Sequence, residues 1–300
     1  MLKVLDLFAG CGGLSYGFWK EGFEVYGVDI NKFSEKIFQI NGLGELKIAD
    51  LKKEKIWGEY DIIIGGPPCR PWSSVNLRKR RHMHPDFPLL ESFFEHVRRL
   101  KSPMFIMENV PGVRSDAEQV TADLKKLYFL GFRVFRYSDF GAPTRRRRLF
   151  IIGLRKDTDI TPRDFFRIVD QFRCAPATVR DAIDRDFDND SEHIFPKLKT
   201  IHKYMKYYRT GKYGWYILKW DEPAPSFGNV MKTYILHPDS LNGTPPRVIS
   251  VREALCIMGF PESFRFPEKM PLGMRYQMVA DAVSPVFSDV LAKVVKEVLR

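Results

Sequence analysis

Asp6-Leu7-Phe8-Ala9-Gly10-Cys11-Gly12-Gly13-Leu14-Ser15 decides how the rest of the chain is read. The apolar run Lys3 to Phe8 leads into glycines at 10, 12 and 13, and a helical pattern then covers Cys11 to Glu21. A strand entering a helix through glycines lets a ligand approach the backbone closely. The spacing is G-x-G-G, with Ser15 where the last glycine of G-x-G-x-x-G would stand, so the dinucleotide fingerprint is not met. Asp29 ends the next apolar run, placed to hold ribose hydroxyls, and Asp50 follows the third, placed to meet an adenine amino group. A nucleoside ligand without a pyrophosphate fits these residues better than a dinucleotide. A tight structural turn is the alternative reading.

Outward from this stretch, strand and helix alternate. Glu24 to Asp29, Leu46 to Ala49, Tyr60 to Ile64 and Met104 to Glu108 read as strands, while Phe33 to Ile40, Pro88 to Leu100 and Ser115 to Leu130 read as helices. Arg133 to Asp139 and Leu149 to Leu154 add another strand pair. The expectation is an α/β fold with a largely parallel sheet covered on both faces, its ligands beyond the carboxyl ends of the strands. Near Cys174 the alternation stops, and the chain to about Pro246 is expected to be loop-rich, aromatic and basic. Gln277 to Leu299 reads as a final helix returning to the first domain. The division expected is residues 1–175 plus 270–300 against a smaller domain at 176–269.

The 300 residues carry 48 Lys and Arg against 37 Asp and Glu, a formal charge of +11, which suggests a polyanionic partner without locating it. No window approaches the roughly 18 apolar residues of a membrane span, so no membrane partner is expected. The four cysteines at 11, 69, 174 and 256 form no C-x-x-C pair, which implies neither a disulfide framework nor a metal site. A soluble, cytoplasmic protein is expected.

Three further segments end strands with reactive side chains. Gly65-Gly66-Pro67-Pro68-Cys69-Arg70-Pro71-Trp72-Ser73 stiffens a turn with prolines and sets a thiol at the sheet edge, a candidate nucleophile. Such a cysteine is otherwise a small buried hydrophobe. Glu108-Asn109-Val110 brings a carboxylate to the same edge, where it could protonate or hydrogen-bond a heterocycle. In Thr144-Arg145-Arg146-Arg147-Arg148, extended alternation sends Arg146 and Arg148 to one face and Arg145 and Arg147 to the other.

D-L-F-A-G-C-G-G, G-G-P-P-C-x-P-W-S, E-N-V, x-R-x-R-R and R-x-x-S-V-R-E-A, in this order from Asp6 to about Pro285, resemble the DNA cytosine-5 methyltransferase family, in its prokaryotic restriction–modification form. The resemblance implies a Rossmann-like S-adenosylmethionine-dependent methyltransferase sheet with a smaller, loop-rich target-recognition domain. Phe8, Gly10, Gly12, Leu14, Asp29, Ile30, Asp50 and Pro68 would surround S-adenosylmethionine, joined by Asp281, Ala282 and Val283. Cys69 would be the nucleophile, and Glu108 would engage N3 and the exocyclic amine of a flipped-out cytosine. Arg146 and Arg148 would complete the catalytic set, one toward the base and one supporting the cysteine turn and phosphate. Arg252 and Glu253 would scaffold the recognition region.

Double-stranded DNA is the implied partner. Ser73, Arg78, Lys79, Arg80 and Arg81 fall in the family's substrate-closing loop; Arg145, Lys203, Lys206 and Arg209 are the other expected DNA contacts. A monomer is expected, and the resemblance leaves a cognate restriction endonuclease open as a partner. Three positions depart from the pattern: Arg70 and Thr144 stand where the family often has Gln, and Ala280-Asp281-Ala282-Val283 replaces a Gly-Asn-Ala-Val type sequence. The alternatives are a tRNA cytosine-5 methyltransferase, whose typical Cys-Phe-Thr tripeptide is absent from the chain, and an inactive DNA-binding homologue, against which the intact Cys, Glu and Arg positions argue.

Overall fold

The computed structural model describes residues 1–72, 81–185, 187, 194–241 and 245–299, the side chain of Arg81 excepted. It divides into two compact units: Met1–Phe135, Arg147–Arg173 and Phe287–Arg300 form the first, Arg136–Arg146 and Cys174–Val286 the second. No helix among the described residues is long and apolar enough to cross a membrane.

Seven strands form one sheet: β1 (Lys3–Leu7), β2 (Glu24–Asp29), β3 (Glu45–Ile48), β4 (Ile62–Gly65), β5 (Met104–Asn109), β6 (Tyr128–Arg136) and β7 (Arg147–Arg155). Their order is β3-β2-β1-β4-β5-β7-β6. The pairs among β1 to β5 are parallel, and β7 runs antiparallel to β5. Successive crossovers leave β1 in opposite directions, so the switch point lies between β1 and β4, where open α/β sheets bind ligands. Ile62, Ile63 and Ile64 are all fully buried, as a central strand covered on both faces requires.

The covering helices are α1 (Gly13–Lys20), α2 (Lys32–Asn41), α3 (Pro88–Leu100), α4 (Arg114–Val120), α5 (Pro162–Asp170) and α10 (Pro285–Val298). Phe93 and Phe94 of α3 lie edge-on to Phe105 of β5, packed with Leu5, Leu7 and Ile63. Phe287 of α10 sits 5.1 Å from the rings of both Phe135 and Phe150. Helices α1 and α10 touch backbone to backbone: Gly17 N donates to Ser288 Oγ at 3.1 Å, and a Cβ at Gly17 would stand 2.2 Å from the Ser288 carbonyl carbon.

Two local expectations change. The helix expected over Ser115 to Leu130 ends at Val120, where the Thr121 hydroxyl donates to Ala117 O, and the chain enters β6 at Tyr128. Tyr128 is buried with its hydroxyl donating to Ser102 O at 2.8 Å and its ring edge-on to Phe105, so sheet packing overrides the helical spacing of Leu124, Leu127 and Tyr128. The final helix is two, α9 (Leu272–Asp281) and α10, separated because Ala282 is extended and Pro285 opens the next helix. The segment from Cys174 to about Pro246, expected to be loop-rich, holds α6 (Val179–Ile183) and α7 (Leu198–Thr210), and α8 (Val251–Ile257) follows it. In α7, Tyr204 stacks on Trp215 at 4.1 Å, which supports a helix whose other face is polar.

Candidate active site

The glycine stretch leaves β1 at the switch point. Phe8 adopts φ 65°, a left-handed conformation that costs a side-chain-bearing residue of order 1–3 kcal/mol, held by its N–H and that of Ala9 donating to Val28 O. Gly10 follows at φ 58° and Gly12 at φ 81°, and a Cβ on Gly10 would meet nothing within 4 Å. Open space beside a positive-φ glycine is a place where a ligand can meet the backbone. The Gly10 N–H donates to Asp29 Oδ2 at 2.8 Å, and Asn31 N–H donates to Asp29 Oδ1 at 2.7 Å. Burial pushes the Asp29 carboxyl up, and these amide donors work against that shift. Ile30 beside it is 68% exposed, so an apolar surface and a fixed carboxylate stand next to each other. Leu14 is buried, Pro68 and Asp50 are half-buried, and Asp50 Oδ1 accepts from Lys52 N at 3.1 Å.

Below this turn lies a further carboxylate, Asp6, at the head of the glycine stretch. Asp6 is fully buried in β1, and Ser15 of α1 donates its hydroxyl to Asp6 Oδ2 at 2.5 Å. Burial pushes Asp6 up to about 7, the serine lowering it and the charge of Asp29 raising it.

The cysteine turn leaves β4 next to β1. Asn109 Nδ2 donates to Pro67 O at 2.9 Å in a buried bond, tying the turn to the end of β5. A Cβ at Gly66 would stand 3.0 Å from Glu108 Oε2, so the turn and the carboxylate are close neighbours. Cys69 is half-buried, and its carbonyl accepts from Trp72 N at 3.0 Å.

Glu108, 6% exposed, pairs with Arg148: Nε stands 2.9 Å from Oε1. The antiparallel register explains the meeting. Asn109 pairs with Leu149, so the start of β7 lies at the carboxyl end of β5, and arginines preceding a strand arrive at the reactive edge. A wholly parallel sheet would carry them to the opposite edge. The alternation expected through 145–148 is present, with Arg145 and Arg147 exposed, Arg146 buried and Arg148 half-buried.

The remaining expected residues belong to the second unit or lie outside the described residues. Arg146 belongs to the second unit, where Nη1 donates to Phe227 O at 3.4 Å, and Arg145 pairs with Glu222 at 2.5 Å. Thr144, where the family pattern often has Gln, is buried. Asp281 is exposed at the end of α9 and accepts from Gln277 Nε2 at 2.9 Å, followed by Ala282 and Val283, both buried. Glu253 takes a bidentate bond from Arg247, both contacts 2.8 Å, whereas Arg252 donates to the Glu262 and Phe264 carbonyls. Lys203, Lys206 and Arg209 are exposed on α7, with Lys203 over the Tyr204 ring and Lys206 over Tyr207. Ser73, Arg78, Lys79, Arg80 and the Arg81 side chain lie outside the described residues. No cluster of three metal-ligating side chains occurs among the described residues.

Asn109 and the Glu108–Arg148 pair are the contacts that motif order alone did not assign. An Asn following a strand-end acid was the available signal for the first; the second needed the strand direction.

Known proteins are similar to this chain over nearly its whole length. M.FnuDI, a type II methyltransferase of Fusobacterium nucleatum, is 28% identical over 338 residues, covering 99% of this chain and 95% of its own length. M.MthTI, a type II methyltransferase of Methanothermobacter thermautotrophicus, is 29% identical over 346 residues, covering 100% and 98%. The crystal structure of the S. pombe Dnmt2 methyltransferase shares the fold with a TM-score of 0.75 at 18% identity, covering 99% of each chain. Residues 2–297 match the family model for C-5 cytosine-specific DNA methylases, and the chain belongs to that family.

Proposed function

We propose that this DNA cytosine methyltransferase acts on a cytosine extruded from a specific duplex sequence, through a covalent bond between Cys69 Sγ and C6 of the base. The observation that carries the reading is the juxtaposition at the switch point: the Pro67-Pro68-Cys69 turn, tied by Asn109 to the strand that presents Glu108, with Arg148 paired to that carboxylate.

Cytosine C5 is a poor nucleophile. Addition of the Cys69 thiolate at C6 breaks the π component of the C5=C6 bond, and a proton held between the Glu108 carboxyl and N3 stabilises the displaced electron pair, so C5 becomes the nucleophilic end of an enamine. After C5 is methylated it gives its proton to solvent water, the thiolate leaves C6, N3 returns its proton to Glu108, and the aromatic base is restored. Neither reacting atom is accessible within a stacked duplex, so the base must be extruded.

S-adenosylmethionine, when bound, supplies the methyl group as a sulfonium. The residues of this chain suit it: open space at Gly10 beside an Asp29 carboxylate aimed by two backbone amides, and an exposed Ile30 adjoining both. Asp29 would hold the ribose hydroxyls, Ile30 a face of the adenine and Asp50 its amino group, with Phe8, Gly12, Leu14 and Pro68 around them. Asp281, Ala282 and Val283 would complete that lining. Target recognition falls to the second unit, where the exposed cations of α7 meet DNA phosphates. The type II methyltransferases among its relatives support a restriction–modification setting, with a cognate endonuclease reading the same sequence.

Covalent trapping tests the nucleophile. With S-adenosylmethionine present, duplex DNA carrying 5-fluorocytosine at its target sites should form a denaturation-stable complex with the protein, because fluorine at C5 blocks the elimination that follows methylation. Cys69→Ser should form none. A trapped complex of undiminished yield with the serine variant would overturn the assignment.

A further inference from the structure

The cysteine turn is joined to the segment after Glu108 at a second place, through residues that take no part in the chemistry above. Trp72 closes the turn by donating its backbone N–H to Cys69 O, and its indole Nε1 donates to Asp116 Oδ2 at 2.6 Å. Asp116 lies in the first turn of α4, which follows Glu108 through a 3-10 turn at Pro111–Val113. Gly112 of that turn leaves room for the approach: a Cβ there would stand 3.1 Å from the Trp72 carbonyl oxygen. On the other side the Trp72 ring lies 5.5 Å from Phe87, immediately before α3.

Ring packing alone would keep the indole near Phe87 but would leave its rotation loose. A short, charge-assisted bond to a carboxylate on a helix fixes that rotation, and with it the turn whose carbonyl Trp72 holds. With Asn109 bonded to Pro67, the thiol-bearing turn is bolted to the Glu108 segment at both ends.

We propose that Trp72 and Asp116 form a positioning pair that sets where the Cys69 thiol stands relative to Glu108 and Arg148. The inference rests on Cys69 as the nucleophile, so its test includes a readout that needs no methyl transfer. Trp72→Phe, Asp116→Ala, Asp116→Asn and the Phe/Ala double variant are compared in the full chain for kcat, KM and melting temperature. In the same proteins without substrate, iodoacetamide alkylation of Cys69 is followed by peptide mass spectrometry, with exposed Cys174 as internal reference.

Trp72→Phe and Asp116→Ala should each lower kcat about ten- to a hundredfold. KM for the methyl donor should stay within about twofold. Asp116→Asn, which still offers an acceptor to the indole, should recover most of the rate. The double variant should be no worse than either single change. Cys69 alkylation should shift severalfold in the Ala and Phe variants, return to the wild-type rate with Asn, and leave Cys174 unaffected. Wild-type kcat and alkylation in Asp116→Ala would overturn the pair, as would an equal loss in Asp116→Asn. Should Asp116→Ala fail to fold, Trp72→Phe decides alone: the pair stands if kcat falls and Cys69 alkylation shifts, and falls if either matches wild type. If the wild-type protein transfers no methyl group, the functional reading fails, and the alkylation rates still judge the pair.

Discussion

Two buried carboxylates near the switch point have different partners, and the difference sets what each can do. Glu108 has the Arg148 guanidinium against it, and Asp6 has the Ser15 hydroxyl. Arg148→Lys keeps the charge but loses the planar donor set that orients the carboxylate, so kcat should fall by about tenfold or more with little change in melting temperature. Initial-rate assays beside a thermal melt check this, and unaltered kcat would count against the pair's role. For Asp6, burial raises the folded value to about 7 from 3.8, so between those values the folded state binds more protons than the unfolded one. The resulting cost to stability is absent below about pH 4, grows as pH rises, and is complete above about pH 7. Asp6→Asn stays neutral and can still accept from Ser15. It should therefore stabilise the fold at pH 8 by about 1–4 kcal/mol and by much less near pH 4. Melts across that range give the answer; an equal gain at both ends would contradict the assignment.

Among the elements, α1 and α10 show how tightly the sheet is covered. Gly17 lets the two helix backbones touch, so Gly17→Ala should destabilise by about 1–3 kcal/mol, read by denaturant unfolding, because the intruding Cβ meets backbone rather than a movable side chain. This contact joins positions 271 residues apart, and no local pattern announces it. Local signals did mark β2 and α3 at their observed limits, since Glu24–Asp29 and Pro88–Leu100 each carry a clear period and a sharp boundary. They failed at Ser115 to Leu130, where apolar residues at helical spacing were drawn into β6 by the buried Tyr128. They also missed the break before α10, although Pro285 was there to mark it. At the site, the alternation of the four arginines was legible from extended geometry, whereas the partner of Arg148 depended on β7 running antiparallel to β5.

For the whole molecule, the +11 charge pointed to a polyanion and said nothing of where it binds. Order and spacing of five short motifs carried the resemblance: three end strands β1, β4 and β5 at a common edge of one sheet, the arginine motif opens β7, and Arg247–Ala254 runs into α8 of the second unit. The second unit is legible only in outline, since it is held by α8 packed against α6 and α9 and by isolated bridges with no repeating period. The central claim is methylation at C5 of cytosine in duplex DNA by way of Cys69. Its most direct test is bisulfite sequencing of duplex DNA incubated with the purified protein and S-adenosylmethionine, with tRNA treated in parallel. Protected cytosines are expected in one recurring sequence context, lost entirely with Cys69→Ser. Unprotected DNA alongside newly protected cytosines in tRNA would contradict it.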